Sequence, residues 1–171
     1  MSDAVSIRPP LAGELALLAQ IERRAAALFS PDDLPAALSG QTLPEALLRE
    51  AAAAGLLWVA ERNGQAAGFA LAEMLDGQLH LAEMDVDPAH ARRGIGAALL
   101  AKVAAHGAAA GFAAVTLTTF AHLPWNAPFY RRHGFEPYVP TTASQLEQRL
   151  KSEALAGLRQ RIAMRRVLRS L

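Results

Sequence analysis

Two dipeptides, Asn63-Gly64 and Asp76-Gly77, constrain what this chain can fold into more than any other feature of the sequence. Each lies between two apolar-rich segments. Both are preferred in two-residue β-hairpin turns, because the left-handed backbone of such turns suits asparagine, aspartate and glycine. The sequence therefore predicts an antiparallel meander of three strands, Leu56–Glu61, Gln65–Leu75 and Gln78–Val86.

The segments on either side of this meander alternate between helical and extended patterns. Ahead of it, Val5–Arg8 is predicted as a strand, and an apolar face from Leu11 to Leu28 predicts a helix. A capping box at Thr42 opens a second helix, which ends at Gly55. Behind the meander, the sequence predicts a helix over Gly94–Ala110, a strand over Ala114–Thr119, a short helix over Ala127–His133, an extended segment over Phe135–Tyr138, a helix over Thr142–Leu158 and a last strand over Ile162–Leu168.

The third strand of the meander has an apolar pattern that changes phase. Leu79 and Leu81 are odd-numbered whereas Met84 and Val86 are even-numbered, and a regular strand cannot place all four side chains on one face. An extra residue near Ala82–Glu83 would restore the phase, and such an insertion is a β-bulge. A strand that is buried on both faces is the alternative.

Residues 86–100 have the features of a diphosphate-binding loop. Gly94 and Gly96 lack a Cβ, so the backbone can approach a ligand closely. The first N–H groups of the following helix have no intrahelical partner and suit phosphate oxygens, and Arg92 and Arg93 add forked cationic donors. An ordinary strand-to-helix turn is the alternative that so short a motif leaves open.

Two other kinds of phosphate loop do not match this segment. A dinucleotide fingerprint would need a third glycine at the position of Leu99, and a ribose-binding acid would fall at Ala114. A mononucleotide P-loop needs the run Gly-Lys-Ser/Thr, which the chain lacks.

A second motif, Phe129-Tyr130-x-x-x-Gly134-Phe135, follows the predicted strand at Ala114–Thr119. The glycine loop ahead of it reads Ala-Arg-Arg-Gly-Ile-Gly over residues 91–96. The two motifs, in this order, resemble the GNAT superfamily of acyl-CoA-dependent N-acyltransferases. The family pattern of the loop is Q/R-x-x-G-x-G/A, and this chain departs from it at the first position.

This resemblance implies an α/β fold. It predicts a single GNAT-type domain over residues 1–171, whose mixed, mostly antiparallel sheet is flanked by helices and has splayed fourth and fifth strands. The resemblance covers about residues 5–138 and the last strand. The helix at about 142–158 is therefore an insertion before that strand. The thioester end of the cosubstrate, acetyl-CoA, would enter the gap between the splayed strands.

The resemblance also implies roles for individual residues. Tyr130 matches the general acid that protonates the departing thiolate. Glu83 lies where the family often places the base, and Asp85 competes with it for that role. The family's usual asparagine is Leu123 here, so Asn126 either replaces it or is only an N-cap. The expected cofactor-binding residues are Met84, Val86, Arg92, Arg93, Gly94, Ile95, Gly96, Ala97 and Asn126.

Several of these residues also have ordinary interpretations. Tyr130 has the alternative of a core aromatic residue, and Glu83 that of a solvated carboxylate on a strand. Asp32 and Asp33 either attract a cationic amine or mark a helix boundary. The histidines show no metal-ligand spacing, so no metal is expected, and most are expected at the surface or in packing.

Composition limits the functional classes. The chain has no cysteine, which excludes disulfides and thiolate chemistry, and its net charge of +1 gives no reason to expect a nucleic-acid partner. No segment is apolar for the length of a bilayer span and no signal pattern opens the chain. A cytoplasmic protein without a membrane partner is therefore expected.

The sequence thus predicts an N-acetyltransferase that moves the acetyl group of acetyl-CoA directly to a primary amine of a small molecule or a peptide in a ternary complex. A CoA-binding sensor without turnover and an enzyme that acetylates charged tRNA are the alternatives. The sequence is also compatible with a homodimer.

Overall fold

The computed structural model describes residues 3–169. The strands are β1 (Val5–Arg8), β2 (Leu57–Arg62), β3 (Gln65–Leu75), β4 (Gln78–Val86), β5 (Ala114–Phe120), β6 (Glu136–Tyr138) and β7 (Arg161–Val167). The helices are α1 (Leu15–Ala26), α2 (Ala36–Ser39), α3 (Glu45–Ala53), α4 (Ile95–Ala109), α5 (Ala127–Arg132) and α6 (Gln145–Leu155), with a 3₁₀ turn over Pro88–His90. None of the helices described over these residues is long and apolar enough to cross a membrane.

The seven strands form one sheet in the order β1-β2-β3-β4-β5-β7-β6. The pairs β1–β2, β2–β3, β5–β7 and β6–β7 are antiparallel, and β4 runs parallel to β5. The α/β fold with a mixed, mostly antiparallel sheet is confirmed. The helix expected before the last strand is present as α6.

The first predicted helix differs from the observed one. It begins only at Leu15 and ends at Ala26, and its buried face consists of Leu18, Ile21 and Ala25. Leu11 and Leu28, which the apolar pattern placed on that face, lie outside the helix and are each 59% exposed. The apolar spacing continues past both ends of the helix, so spacing alone could not locate them. The sequence pattern also missed the short helix α2.

Both hairpin turns are confirmed. Asn63 and Gly64 have φ angles of +53° and +73°, and Asp76 and Gly77 have φ angles of +52° and +72°. Positive φ at both central residues defines the type I′ turn that joins antiparallel strands.

The chain divides into two compact units. The first unit comprises the residues up to Glu73 together with Glu83–Val103, and the second comprises Met74–Ala82 together with the residues from Ala104 onward. The candidate diphosphate loop belongs to the first unit, and the Phe-Tyr motif belongs to the second.

A β-bulge interrupts β3 in the first unit. Ala60 of β2 pairs with Gly68, but the next residue, Glu61, pairs with Ala66, which leaves Ala67 as an extra residue. The carbonyl of Ala67 accepts the backbone N–H of Asp87 at 2.8 Å. The residue that the bulge inserts therefore anchors the start of the candidate loop. The bulge expected near Ala82–Met84 of β4 stays a prediction.

Gly68, directly after the bulge, allows a close approach between β3 and the end of β4. A Cβ built on this residue would lie 2.7 Å from the carbonyl oxygen of Asp85, 3.1 Å from Cγ2 of Ile95 and 3.4 Å from Cα of Val86. A backbone oxygen at 2.7 Å cannot move aside as a flexible side chain can. The position therefore requires glycine.

The pairing of β4 with β5 in the second unit ends early. Leu79 pairs with Val115 and His80 pairs with Thr116. Among the described residues of this unit, the ladder does not continue to Leu81 and Ala82, although β4 continues through both. This agrees with the predicted splay of the fourth and fifth strands.

Helix α6 is attached to the second hairpin turn by hydrogen bonds. Both carboxylate oxygens of Asp76 accept backbone N–H groups of α6, from Gln145 at 2.8 Å and from Leu146 at 3.0 Å. The side chain of Gln145 in turn accepts the N–H of Asp76 at 2.9 Å. The turn thus satisfies donors at the start of the helix, and Leu146 packs against Leu75 and Ala163.

We expect Gly68→Ala to lower the free energy of unfolding by about 1–3 kcal/mol, because the new methyl group overlaps the Asp85 carbonyl. Urea unfolding monitored by circular dichroism measures this change. Gly40→Ala is the matched control, since its Cβ would meet no atom within 4 Å and its φ is −93°. The control should change stability by less than about 1 kcal/mol. Equal stability of the two variants would contradict the close approach at Gly68.

Candidate functional site

Asp87 anchors the beginning of the candidate diphosphate loop. Its Oδ1 accepts the N–H of Ala89 at 3.0 Å, which caps the 3₁₀ turn. Its Oδ2 accepts Nη2 of Arg24 at 2.6 Å and Nε of the same residue at 3.2 Å. Burial alone would raise the pKa of Asp87, but the bonds from Arg24 and Ala89 outweigh burial and lower it. The carboxylate is therefore held ionised in one position.

A second set of contacts fixes the far side of the same turn. Arg62, at the end of β2, donates to Nδ1 of His90 at 3.2 Å and also to the carboxylate of Asp3. Asp3 additionally lies 3.7 Å from Arg93. Two cations thus converge on one carboxylate beside the loop.

The loop enters α4 through residues with unusual backbone conformations. Arg92 has a φ of +61° and Gly94 a φ of +76°. A Cβ at Gly94 would meet no described atom within 4 Å, so that side of the loop is open. Ile95, by contrast, is only 2% exposed, which leaves its backbone N–H as the group it can offer to a ligand.

The remaining predicted cofactor residues in the first unit are half-buried or exposed. Gly96 and Ala97 lie in the first turn of α4, where backbone N–H groups have no intrahelical acceptor. Met84 and Val86 lie at the end of β4. Arg92 and Arg93 are both exposed. These positions suit an anionic ligand above the helix terminus.

The charges of three carboxyl groups act on one another near the predicted base. Glu83 and Asp85 lie on β4 and share a side-chain hydrogen bond, and the charge of Glu22 from α1 acts on both. Burial, followed by the charge and the hydrogen bond of Glu83 and by the charge of Glu22, raises the pKa of Asp85 well above its ordinary range. Sequence reasoning named Glu83 and Asp85 but missed Glu22, which has no local motif.

Glu22 also fixes the segment before α3. Its two carboxylate oxygens accept the backbone N–H of Leu43 at 2.9 and 3.1 Å. Burial raises the pKa of Glu22 to about 7, although the bond from Leu43 opposes this change. The charge of Glu83 raises that pKa further, and the charge of Arg23 lowers it.

Tyr130 occupies the middle of an aromatic group in the second unit. Its ring packs edge-on against Phe129 at 5.4 Å and against Phe135 at 5.8 Å between centroids. Its carbonyl accepts the N–H of Phe135 at 3.1 Å, and Gly134 has a φ of +88°. The spacing of the motif is thereby explained, because glycine reverses the chain and returns the second phenylalanine to the tyrosine.

Asn126 bonds to the end of β5 and does not cap α5. Its Oδ1 accepts the hydroxyl of Thr119 at 3.0 Å and the N–H of Phe120 at 3.4 Å. No side-chain cap bond is formed at the start of α5. Asn126 therefore occupies the N-cap position of α5, but its side chain is used elsewhere. Residue 126 fixes the turn between β5 and α5, and Leu123 at the family position is a buried core residue.

The other candidates have local roles. Asp33 exchanges bonds with Ser30, accepting from its hydroxyl at 3.0 Å and donating a backbone N–H to it at 3.3 Å, which agrees with the interpretation as a helix boundary. His80 is buried and bonds to the hydroxyl of Thr116 at 2.9 Å. Within residues 3–169, no group of three histidine, aspartate or glutamate side chains is arranged so that it could hold a metal ion.

Known proteins resemble this chain in sequence and in fold. A sequence model of the acetyltransferase (GNAT) family matches residues 18–135. The ribosomal-protein-S18-alanine N-acetyltransferase of Escherichia coli is similar in structure, with 22% identity, a TM-score of 0.67 and coverage of 96% of this chain and 94% of that one. So is the PaiA N-acetyltransferase of Thermoplasma acidophilum, solved in complex with coenzyme A, with 16% identity, a TM-score of 0.69 and coverage of 96% and 99%.

The structural likeness shows the fold, and the sequence match spans more than half of the chain. The protein is therefore an acyltransferase that belongs to the GNAT acetyltransferase family.

Proposed function

We propose that this acyltransferase transfers the acetyl group of acetyl-CoA directly to a primary amine in a ternary complex. The observation that carries the proposal is the loop from Asp87 to Gly94, which is held by Arg24 and Ala67 and opens onto the N-terminus of α4. Such a terminus offers aligned N–H donors and the positive end of the helix dipole to a diphosphate.

The cosubstrate would be held by this loop and by the end of β4. The diphosphate would accept N–H groups from Gly94, Ile95, Gly96 and Ala97, with Arg92 and Arg93 as cations beside it. Arg93 would exchange its ion pair with Asp3, which is long at 3.7 Å, for a phosphate oxygen. The backbone of Met84 and Val86 would bind the pantetheine arm. We also keep Asn126 as a cofactor contact.

Glu83 would act as the base that prepares the amine. An amine that attacks a thioester must first lose its extra proton. The hydrogen bond between Glu83 and Asp85 and the charge of Glu22 support this role, because three neighbouring carboxyl groups cannot all ionise easily. Neighbouring carboxyl groups of this kind are typical of sites that exchange protons with a substrate.

Tyr130 would protonate the departing sulfur. The ordinary pKa of tyrosine is about 10 and that of a thiol about 8.5, so proton transfer to a thiolate is uphill by only roughly 2 kcal/mol before the surroundings are counted. The two aromatic neighbours of Tyr130 hold the ring in one orientation. A fixed ring is what a positioned proton donor requires.

The raised pKa of Glu22 predicts that the stability of the folded chain depends on pH. A carboxyl group whose pKa is higher in the folded chain than in the unfolded chain destabilises the folded state once it ionises. The loss is absent below the ordinary value of 4.5 and complete above about 7. We therefore expect Glu22→Gln, which still accepts from Leu43, to be more stable than the wild type at pH 8 and equally stable at pH 4.

Chemical unfolding at both pH values measures this difference. Glu50→Gln, an exposed site on α3, removes the same charge without removing a buried one. This control should follow the wild type at both pH values. A loss of stability in Glu22→Gln at pH 8 would mean that the bond to Leu43 outweighs the burial of charge.

The cofactor assignment predicts a thermal shift. Acetyl-CoA should raise the melting temperature of the wild type, because it binds only the folded state. We expect Gly94→Leu to abolish this shift, since its side chain would occupy the open side of the loop. Gly64→Leu is the matched control, because Gly64 has a φ of +73° and nothing within 4 Å but lies in the β2–β3 turn. A full shift in Gly94→Leu would place the phosphate site elsewhere.

The acid assignment predicts a loss of rate. Tyr130→Phe removes one hydroxyl and keeps the ring, so we expect kcat to fall roughly 10²-fold or more with little change in CoA binding. A single-turnover measurement avoids interference from slow product release. Tyr138→Phe is the control, because Tyr138 is the chain's other tyrosine and its ring packs under Arg165. Equal rates in the two variants would make Tyr130 a packing residue.

A further inference from the structure

The guanidinium group of Arg62 contains an unsatisfied donor. Its Nε is buried and has no hydrogen-bond partner in the part of the chain that the structure describes. The side chain as a whole is only 11% exposed. Buried polar atoms are almost always hydrogen-bonded in folded proteins, so an orphaned donor needs an explanation. Its position indicates an acceptor that the chain itself does not provide.

The other two nitrogens of Arg62 are held by neighbouring side chains. Nη1 contacts Nδ1 of His90 at 3.2 Å, and because arginine can only donate, His90 accepts this bond. Nη2 donates to Oδ1 of Asp3. Nε and Nη2 lie side by side in a guanidinium group and form a fork that can bind two oxygens of one anion. In Arg62, one donor of this fork binds Asp3 and the other is the unsatisfied Nε.

The carboxylate of Asp3 is shared between two cations. Its Oδ1 accepts from Arg62, and its Oδ2 lies 3.7 Å from Nη1 of Arg93. This separation is too long for a hydrogen bond, so the second contact is electrostatic only. The side chains of Asp3 and Arg93 are 62% and 54% exposed. Two positive charges thus face one negative charge, and the three side chains together keep an excess of positive charge.

A phosphate group matches these donors better than the carboxylate of Asp3 does. A carboxylate has two oxygens, and each oxygen of Asp3 already faces one arginine. A phosphate monoester has three terminal oxygens and a charge of about −1.5 to −2 at neutral pH. It can therefore accept from Nε and Nη2 of Arg62 and from Arg93 at the same time, and its charge balances both cations.

We propose that Arg62 and Arg93 form a binding site for a phosphate monoester, and that Asp3 occupies this site until the ligand displaces it. All three residues belong to the first unit. Arg93 is shared with the proposed diphosphate site, whereas Arg62 is not. The ligand is the 3′-phosphate of CoA or a free phosphate, because both present the same oxygens. Only the first of these sources rests on the proposed function.

Asp3 acts as an internal competitor for the ligand. A protein whose binding-competent state is only partly populated binds its ligand more weakly by that fraction. An ion pair with a largely exposed carboxylate contributes little to stability, so Asp3 can leave the arginines for water at small cost. Arg62 keeps its contact with His90 when this happens. The site is therefore held in place on one side and closed by a weakly bound carboxylate on the other.

A comparison of CoA with dephospho-CoA tests the site in the full chain, since the two compounds differ only in the 3′-phosphate. Arg62→Lys keeps the positive charge and loses the fork. In calorimetry we expect this variant to bind CoA roughly tenfold more weakly than the wild type and dephospho-CoA with an affinity within about twofold of it. Arg49→Lys is the matched control, because Arg49 is 66% exposed on α3 and should alter neither affinity.

Inorganic phosphate tests the second source of the ligand. Added without CoA, it should raise the melting temperature of the wild type, because it binds only the folded state. Arg62→Lys should lose most of this shift if the site takes free phosphate. Arg49→Lys should keep the full shift.

Asp3→Asn tests the competition. The amide keeps the shape of the side chain and removes the charge that holds both arginines. The ligand that depends on Arg62, whether CoA or inorganic phosphate, should bind this variant roughly two- to fivefold more tightly at low ionic strength. The gain should shrink at high salt, which screens exposed ion pairs. Glu50→Gln removes one charge from an exposed site on α3 and should give no such gain.

The outcomes separate this site from the proposed function. A preference for CoA over dephospho-CoA that depends on Arg62 supports the site with the 3′-phosphate as its ligand. A phosphate shift that depends on Arg62 without such a preference supports it with free phosphate. Unchanged affinities and shifts in Arg62→Lys would overturn the site and leave acetyl transfer standing.

Two further results decide the remaining points. Equal ligand affinities of Asp3→Asn and the wild type would overturn the competition, and this variant changes an exposed side chain, so the result does not depend on the folding of an Arg62 variant. A wild type that binds no CoA but shows an Arg62-dependent phosphate shift would support the site and refute the proposed cosubstrate.

Discussion

The carboxylate of Asp87 is the group on which the geometry of the candidate loop depends. It accepts from Arg24 of α1 and from Ala89 of the 3₁₀ turn, while its own N–H bonds to Ala67 of β3. Charge-assisted bonds of this kind are roughly twice as strong as neutral ones. Removing Arg24 would leave a buried charge with one backbone donor. One residue thus joins the end of β4 to α1, to the 3₁₀ turn and to β3.

The bulge in β3 explains why Asp87 finds an acceptor in that strand. An extra residue in a strand is left out of the regular ladder, so the buried carbonyl of Ala67 needs another donor. Asp87 supplies that donor. Gly68, the next residue, allows the Asp85 carbonyl to approach β3. The bulge at Ala67 and the missing side chain at Gly68 therefore both contact the end of β4, where the candidate loop begins.

Short sequence motifs predicted the strands and turns, whereas contacts between residues far apart in the chain hold the candidate site together. The turns at Asn63-Gly64 and Asp76-Gly77 follow from backbone preferences of adjacent residues, so the meander could be predicted from the sequence. Arg24–Asp87 and Glu22–Leu43 join residues far apart in the chain, and neither partner carries a motif. The predicted ends of α1 were wrong for a related reason. Apolar spacing continued past them, and only the packing of Leu18 and Ile21 decides which turns are buried.

Two side chains of α1 have opposite effects on the pKa values of two acidic residues near the end of β4. Arg24 reaches Asp87 and lowers its pKa, whereas Glu22, two residues earlier, acts on Asp85, whose pKa burial and the Glu83 carboxyl raise. A fold selected for stability alone would gain from a neutral residue at Asp85, because a buried carboxyl without a cation weakens the folded state. A cation thus faces the carboxylate that shapes the loop, whereas the charges that raise the pKa of Asp85 are those of other carboxyl groups. A strongly raised carboxyl pKa of this kind is typical of groups that bind a ligand or exchange a proton.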